Sequence, residues 1–282
     1  MSGSIASFSI MAIAGRELGA HFDTFEIMTY RSAVGLLIVA GLLTLNRRWQ
    51  QINRRDLGLQ VVRNLAHFTG QNLWFFAVTV IPLAQVFALE FTSPLWVIVL
   101  SPLLLGERLT RMRALAALMG FVGILIVARP DMAGLTPGIV AAAGSAVFFA
   151  LTTIFTKRLT RSQPIACILL YLTGLQLLFG LIAAGYDGVI AAPTLVHAPY
   201  LILVGLAGLL AHFCLTNALA IAPATVVVPF DFVRLPVIAM LGMLLYGELL
   251  DPLVFVGAAI IFTGIYLNLW SETRRAPRET VT

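Results

Sequence analysis

Ten runs of apolar residues fill the chain and leave no room for a water-soluble domain. A helix needs about 20 mostly apolar residues to cross a hydrocarbon core about 30 Å thick. The first five runs are Ser2–Gly15, Thr24–Leu45, Gly58–Val80, Pro82–Leu105 and Thr110–Ala128. The second five are Gly138–Thr156, Pro164–Gly185, Pro199–Ala220, Ala224–Tyr246 and Pro252–Trp270. Their continuity predicts helices rather than barrel strands, whose apolar residues would alternate over about 10 positions. Only 11% of the residues are charged and 60% are hydrophobic, whereas a soluble domain carries about a quarter charged residues. This composition excludes disorder, which needs low hydrophobicity and high net charge. A net charge of +5 argues for no nucleic-acid partner, and two cysteines make no disulfide scaffold. The surrounding partner is the lipid bilayer. The first run is short, but Met1–Ser9 lacks the positive n-region of a secretory signal, so it reads as a membrane helix with an abbreviated start.

The connections between runs predict the orientation. With the N-terminus inside, the inner connections hold Arg47, Arg48, Arg54 and Arg55, then Arg108, Arg111 and Arg113. Lys157, Arg158 and Arg161 follow, and the tail adds Arg274, Arg275 and Arg278. The outer connections hold only Arg16 and Arg129, so the bias is 13 cations to 2. Cytoplasmic loops carry such an excess, which predicts a multi-pass protein of a bacterial inner membrane with both termini cytoplasmic.

Sliding the sequence along itself by half its length brings matches into register across both halves. Gly3-Ser4 falls on Gly144-Ser145, Phe8 on Phe149, Tyr30 on Tyr171 and Pro82 on Pro223. At the same offset Glu90 meets Asp231, Gly106-Glu107 meets Gly247-Glu248, and Gly123 meets Gly264. Apolar matches are cheap in such a chain, but proline, Gly-Glu and acid-for-acid matches at one offset are not. Each half holds five spans, and five is odd, so the halves enter the membrane in opposite directions. The predicted fold is an all-α integral membrane protein of ten transmembrane helices in two inverted-topology five-helix repeats. The repeats cover 1–132 and 133–271, and 272–282 form a cytoplasmic basic tail. Inverted repeats are the architecture of many secondary transporters, with the substrate near the midplane.

The most specific stretches are Glu90-Phe91-Thr92-Ser93-Pro94-Leu95-Trp96 running to Leu105-Gly106-Glu107-Arg108, then Gly120 through Val127. The second half repeats the pattern from Pro236 through Gly247-Glu248, then from Gly257 to Gly264-Ile265-Tyr266. On these residues the chain resembles the drug/metabolite transporter superfamily, in its ten-helix EamA-type branch. The resemblance covers nearly the whole sequence. It implies a central cavity lined mainly by helices 1, 3, 4, 6, 8 and 9. Family members usually have a fuller first helix, and their substrates are diverse.

Charged groups within spans are expensive, about 2.5–3.5 kcal/mol on insertion scales, and usually face a cavity or a partner. Asn64, His67, Gln71 and Trp74 are spaced 3, 4 and 3, one stripe on the third helix. The stripe reads as a wall of the substrate pathway or as polar glue between helices. Arg63 beside it belongs to the pathway or snorkels to the inner surface. Arg31 reads as a structural partner or an interfacial anchor rather than a ligand. Glu90 shares a face with Ser93, Pro94 and Ser101, and Pro94 and Pro102 invite a kink. Glu90 is a candidate to take up a coupling proton or attract a substrate amine; its structural alternative is an ion pair with Arg31 or Arg63. Asp231 and Arg234, at i and i+3, can pair with each other or open to grip a zwitterion. His212 aligns with Gln71, and Asn217 lies on the same helix as His212.

The candidate substrate-binding residues are thus Asn64, His67, Gln71, Trp74, Glu90, Ser93, His212, Asn217, Asp231 and Arg234. Four histidines and two cysteines show no metal-ligand spacing. No phosphate-loop motif or catalytic constellation stands out, so no cofactor and no enzymatic activity are expected. The favoured function is secondary active transport of a small polar or amphipathic metabolite by alternating access, with export of an amino-acid-like compound preferred. An uptake carrier for a vitamin- or nucleotide-like aromatic compound is the alternative; a membrane enzyme or a passive channel is more distant. Protons are the candidate coupling ion, and a monomer or a homodimer is compatible with the sequence.

Overall fold

The computed structural model describes residues 2–105, 110–128, 135–186, 190–221, 227 and 234–275. Among these, the regular structure is helical. Helix α1 covers Ser2–Leu18, α2 Thr24–Leu45, α3 Leu57–Val80, α4 Leu83–Glu90, α5 Ser93–Leu105 and α6 Arg111–Ala128. In the second half, α7 covers Pro137–Leu159, α8 Ile165–Ala184, α9 Ala198–Ile221, α10 Arg234–Tyr246 and α11 Pro252–Arg275. In lipid every backbone N–H and C=O needs an internal partner, and a helix supplies them all. Thr24–Leu45, Pro137–Leu159, Ile165–Ala184, Ala198–Ile221 and Pro252–Ser271 are each long and apolar enough to cross a membrane. α3 has the length, 24 residues, but its polar stripe lowers its mean hydropathy.

Local chemistry sets the ends. Asp23 and Glu26 form a reciprocal capping box that starts α2. Thr136 caps α7, with Pro137 in its first turn where a missing N–H costs nothing. The expected kink in the fourth span is a true break. α4 stops at Glu90 and α5 restarts at Ser93, while the helix runs through Pro102. Pro94 sits in the first turn of α5, where its ring displaces no helical bond, so the break precedes it. The start of the ninth predicted span, including Asp231, lies outside the described residues.

Packing follows the repeat. α1 lies on α9, α2 on α8, α3 on α7, α4 on α10 and α6 on α11. Exchanging the halves turns the α1–α9 pair into α7–α3 and maps the α2–α8 and α6–α11 pairs onto themselves. This is the pattern of a two-fold axis lying in the membrane plane. The ends of the helices agree. The ends of α1, α3 and α10 meet where Arg16 forms an ion pair with Glu248. Arg16 also donates to the Val78 and Ile81 carbonyls at 2.7 Å each, and Glu248 accepts from the Leu83 N–H at 2.9 Å. Arg16 is therefore no loose loop cation, because α1 continues past Gly15 to Leu18. The end of α7 is tied instead to the start of α3, where Gln163 donates to the Arg55 carbonyl and Asp56. Ser162 and Gln163 hold the Asp56 carboxyl below the usual carboxylate range. The first helix of each half thus ends at opposite faces, and the repeat is inverted.

Small residues let the helices close. A methyl built on Gly123 of α6 would lie 2.5 Å from Ile261 Cγ1 and 2.7 Å from the Gly257 carbonyl oxygen of α11. Backbone oxygen cannot swing aside as a side chain can. Gly41, by contrast, has nothing within 4 Å of the same added atom. Gly123→Ala is expected to destabilise the protein by about 1–3 kcal/mol, while Gly41→Ala leaves it unchanged or slightly more stable. Thermal unfolding of the two variants in one detergent measures the difference, and equal melting temperatures would refute this packing.

Candidate functional site

The break between α4 and α5, where the Phe91 and Thr92 N–H groups bond back to the Phe87 and Leu89 carbonyls, borders a cavity. That cavity encloses about 770 Å³ including its open mouth. Its walls come from α1, α3, α4–α5, α7, α9 and α10, the six spans the resemblance implied. Of the sequence candidates, His67, Gln71, Trp74, Glu90, Ser93, His212 and Arg234 line it. Asn64 and Asn217 do not. Asn64 is buried one turn before His67, accepting from Arg63 and facing Gln176, so it is the glue of the alternative reading. Asn217 donates to the Phe213 carbonyl of its own helix.

The remaining walls had no polar signal. Phe8, Met11, Phe91 and Phe149 supply apolar surface, and Ser4, Thr152 and Thr153 add hydroxyls. The repeat could have found several of them. At the repeat offset, five pairs of lining residues correspond: Phe8 with Phe149, Met11 with Thr152, Gln71 with His212, Trp74 with Leu215 and Ser93 with Arg234. Residues related by an in-plane two-fold axis converge only close to that axis. The cavity therefore straddles the middle of the bundle.

Its electrostatic centre joins the two halves. Glu90 accepts from Trp74 Nε1 at 2.7 Å and from Arg234 Nη2 at 2.8 Å. The Arg234 guanidinium also stands over the rings of Phe8, Phe87 and Phe91 at 4.9, 4.7 and 5.4 Å. Ring faces attract a cation, so the group is solvated by carboxylate and aromatics in place of water. Arg234 thus pairs across the repeat with Glu90, and Glu90 pairs with neither Arg31 nor Arg63. Arg63 does not snorkel: it is 1% exposed and donates to Thr156 Oγ1 and Asn64 Oδ1. Arg31 sits two turns into α2, buried, with the Met28 sulfur at 3.4 Å.

Other polar groups wait without partners. Both ring nitrogens of His67, Nε2 of His212 and the Ser4 hydroxyl are buried and make no hydrogen bond among the described residues. The two imidazoles meet edge to face at 4.6 Å, beside Phe149 and Phe8. Buried polar atoms normally have partners, so such a cluster on a cavity wall is open to a ligand. Among the described residues no group of acids, histidines or cysteines could hold a metal ion.

Removing one member of a buried ion pair strands the other, at about 3–5 kcal/mol, whereas replacing both can be nearly neutral. Glu90→Gln is therefore expected to lower the melting temperature sharply. The double variant Glu90→Gln/Arg234→Met should recover much of the loss. If the double variant melts lower than the single one, Arg234 draws its stability from elsewhere.

Comparison with known proteins places this geometry. The EamA-like transporter family matches residues 1–129 and 136–270. The chain is 30% identical to a riboflavin transporter of Vibrio cholerae over 281 residues, covering 96% of this chain and 90% of that protein. It is 22% identical to an S-adenosylmethionine uptake transporter of Rickettsia bellii, covering 96% and 92% of the two chains. It is 28% identical to the pseudopaline exporter CntI of Pseudomonas aeruginosa, covering 90% and 89%. A crystal structure at 17% identity superposes with a TM-score of 0.65 over 97% of this chain and 98% of that one, which shows a shared fold. The chain belongs to the EamA-like transporter family, within the drug/metabolite transporter type, and is a multi-pass bacterial membrane protein rather than an enzyme.

Proposed function

We propose that the protein is a secondary carrier for a ring-bearing, vitamin- or nucleotide-like metabolite, moved by alternating access around the central cavity. One observation carries this reading: unpartnered hydrogen-bonding atoms of His67 and His212 lie on a wall faced by Phe8 and Phe149. A flat heterocycle fits such a wall, since it stacks on phenyl faces and exchanges hydrogen bonds at its edge. In this reading His67, Gln71 and His212 bind the ring's polar edge, and Trp74 fixes Glu90. Ser93 marks the helix break where the cargo meets the backbone. The names of the riboflavin and S-adenosylmethionine relatives are consistent with a ring-bearing cargo.

A second reading keeps the amino-acid-like exporter. Glu90 and Arg234 present opposite charges to the cavity, and a zwitterion could take one from each; Asp231 would join if it faces the same space. The pseudopaline exporter among the relatives favours this direction. The first reading stands ahead because Glu90 and Arg234 already form an ion pair, whereas both ring nitrogens of His67 and Nε2 of His212 have no hydrogen-bond partner among the described residues. Proton coupling through Glu90 would require that pair to open in each cycle. With both termini cytoplasmic, as the loop charges favour, the Arg16 clamp faces outward in the inner membrane.

The clamp suggests how access alternates. Lys157 corresponds to Arg16 at the repeat offset, and it donates to the Leu219 carbonyl at 2.7 Å. Leu219 corresponds in turn to Val78, whose carbonyl Arg16 binds. Each half thus carries a cation that ties the end of its own first helix to the end of a helix in the cavity wall. We assign these as the ties that close opposite ends in turn.

Counterflow in proteoliposomes tests the carrier. Unlabelled riboflavin trapped inside is expected to accelerate entry of labelled riboflavin several-fold. Gln71→Ala and His212→Ala should each weaken apparent affinity by about tenfold, the equivalent of about 1.4 kcal/mol. Stimulation by trapped amino acids and not by riboflavin would favour the second reading. Flux without any trans-stimulation would indicate a channel.

A further inference from the structure

A second, smaller cavity of about 270 Å³ lies between α2, α8 and α9, and His212 lines it as well as the central cavity. It also straddles the two-fold axis. Arg31 corresponds to Leu172, Ser32 to Thr173 and Gly35 to Gln176 at the repeat offset, and all six border it. Arg31 is the asymmetric feature, since leucine occupies its counterpart. The residue is 6% exposed, lies two turns into its span, and has the Met28 thioether as its hydrogen-bond partner. A guanidinium offers five N–H donors. The ion pairs resolved among the described residues are Arg16–Glu248 and Arg234–Glu90, so Arg31 has no carboxylate there. The neighbouring cation, Arg63, is satisfied by Thr156 and Asn64 and supplies no negative charge either.

The space around Arg31 is made for the charge. Gly208 of α9 faces the guanidinium, and a methyl there would stand 2.8 Å from Nη2. Gln176 turns its amide onto the Asn64 carbonyl of α3 at 2.7 Å, which fixes that wall. The Ser32 side chain borders the same space, and His212 Nε2 is without a partner among the described residues. A positive charge within a membrane span faces a cavity or a partner, and Arg31 borders a cavity with Ser32, Thr173, Gln176 and His212. Guanidinium groups take carboxylate and phosphate oxygens in pairs.

We propose that this cavity is an anion-binding site, in which Arg31, with Ser32 and His212, receives a carboxylate or phosphate group. The anion is either a free ion bound beside the cargo or an acidic arm of the cargo itself, reaching past His212 from the central cavity. The second form rests on the reading of the central cavity as the cargo site; the first does not.

Thermal unfolding of the full chain in detergent separates these cases. At constant ionic strength, replacing chloride by about 10 mM phosphate or acetate is expected to raise the melting temperature by about 2–4 °C. The shift should vanish in Arg31→Met and persist in part in Arg31→Lys. No shift in the parent, or equal shifts in the parent and Arg31→Met, overturns the site. Should Arg31→Met fail to fold, phenylglyoxal labelling of the unmodified protein decides: phosphate should slow modification of Arg31, and an unchanged rate overturns the site. Riboflavin and riboflavin 5′-phosphate then identify the source. A larger shift with the phosphorylated compound, lost in Arg31→Lys/Ser32→Ala, marks an acidic arm; equal shifts, each additive with phosphate, mark a free anion. If neither flavin stabilises the protein while phosphate does, the cargo reading fails and the anion site stands.

Discussion

Glu90 closes α4 and Arg234 lies on α10, and their ion pair joins the two halves of the chain at the middle of the bundle. Neither charge is tolerable alone at that depth. Together they fix where the fourth span breaks, since Glu90 reaches Arg234 from the last residue of α4. The break interrupts the regular helix, and irregular backbone survives in a membrane only where it is buried in protein or borders a cavity. The pair, the discontinuity and the cavity are one arrangement seen from three sides. Trp74 completes it: its indole N–H holds the second carboxylate oxygen, and its ring fills the space toward Phe75 and Phe87.

The repeat supplies the scaffold, and departures from the repeat supply the chemistry. Phe8 and Phe149 are the same residue in both halves and both line the cavity. Gln71 and His212 keep hydrogen bonding but change its form. Trp74 corresponds to Leu215, Ser93 to Arg234, and Arg31 to Leu172, so the chemistry differs between the halves at each of these positions. A symmetric pair of halves can rock with equal ease in either direction. A symmetric site, however, would bind a cargo in two equivalent poses, so a carrier that discriminates needs the symmetry broken at the lining positions.

The fold was legible because its signals are strong and long. Apolar runs announce the spans, and an offset of one fixed length announces the inversion. In the site, what could be read was contrast: a polar stripe on α3, an acid on α4 and an arginine on α10 stand out against an apolar chain. Phe8, Met11, Phe91 and Phe149 have no such contrast, since a phenylalanine facing a cavity looks in sequence like one facing lipid. The spacing of Asp231 and Arg234 advertises a local bond, while the Glu90 partner of Arg234 is 144 residues away, a distance that helical periodicity does not see. Arg31 and Arg63 were judged by their distance from span ends, but a side chain's depth depends on how its helix packs. The offset map places Arg31 near the axis by naming Leu172 as its counterpart.

The same map makes the two ends of the bundle comparable. Arg16 binds the Val78 carbonyl, and Lys157 binds the carbonyl at the corresponding residue, Leu219. A cation at the last carbonyls of a helix is favoured by the helix dipole, so each tie has a local reason to exist. Arg16 adds a carboxylate from the other half, Glu248, and two further backbone contacts around it. That end is therefore held by a charged network that crosses between the halves. Opening it requires separating Arg16 from Glu248, with the Val78 and Ile81 carbonyls released as well. Such bonds re-form in water at a membrane surface far more cheaply than Glu90 and Arg234 could part at the centre. In the proposed alternating-access cycle, motion that opens and closes the ends while leaving the central pair intact is the lower-energy path, with Glu90–Arg234 as its pivot.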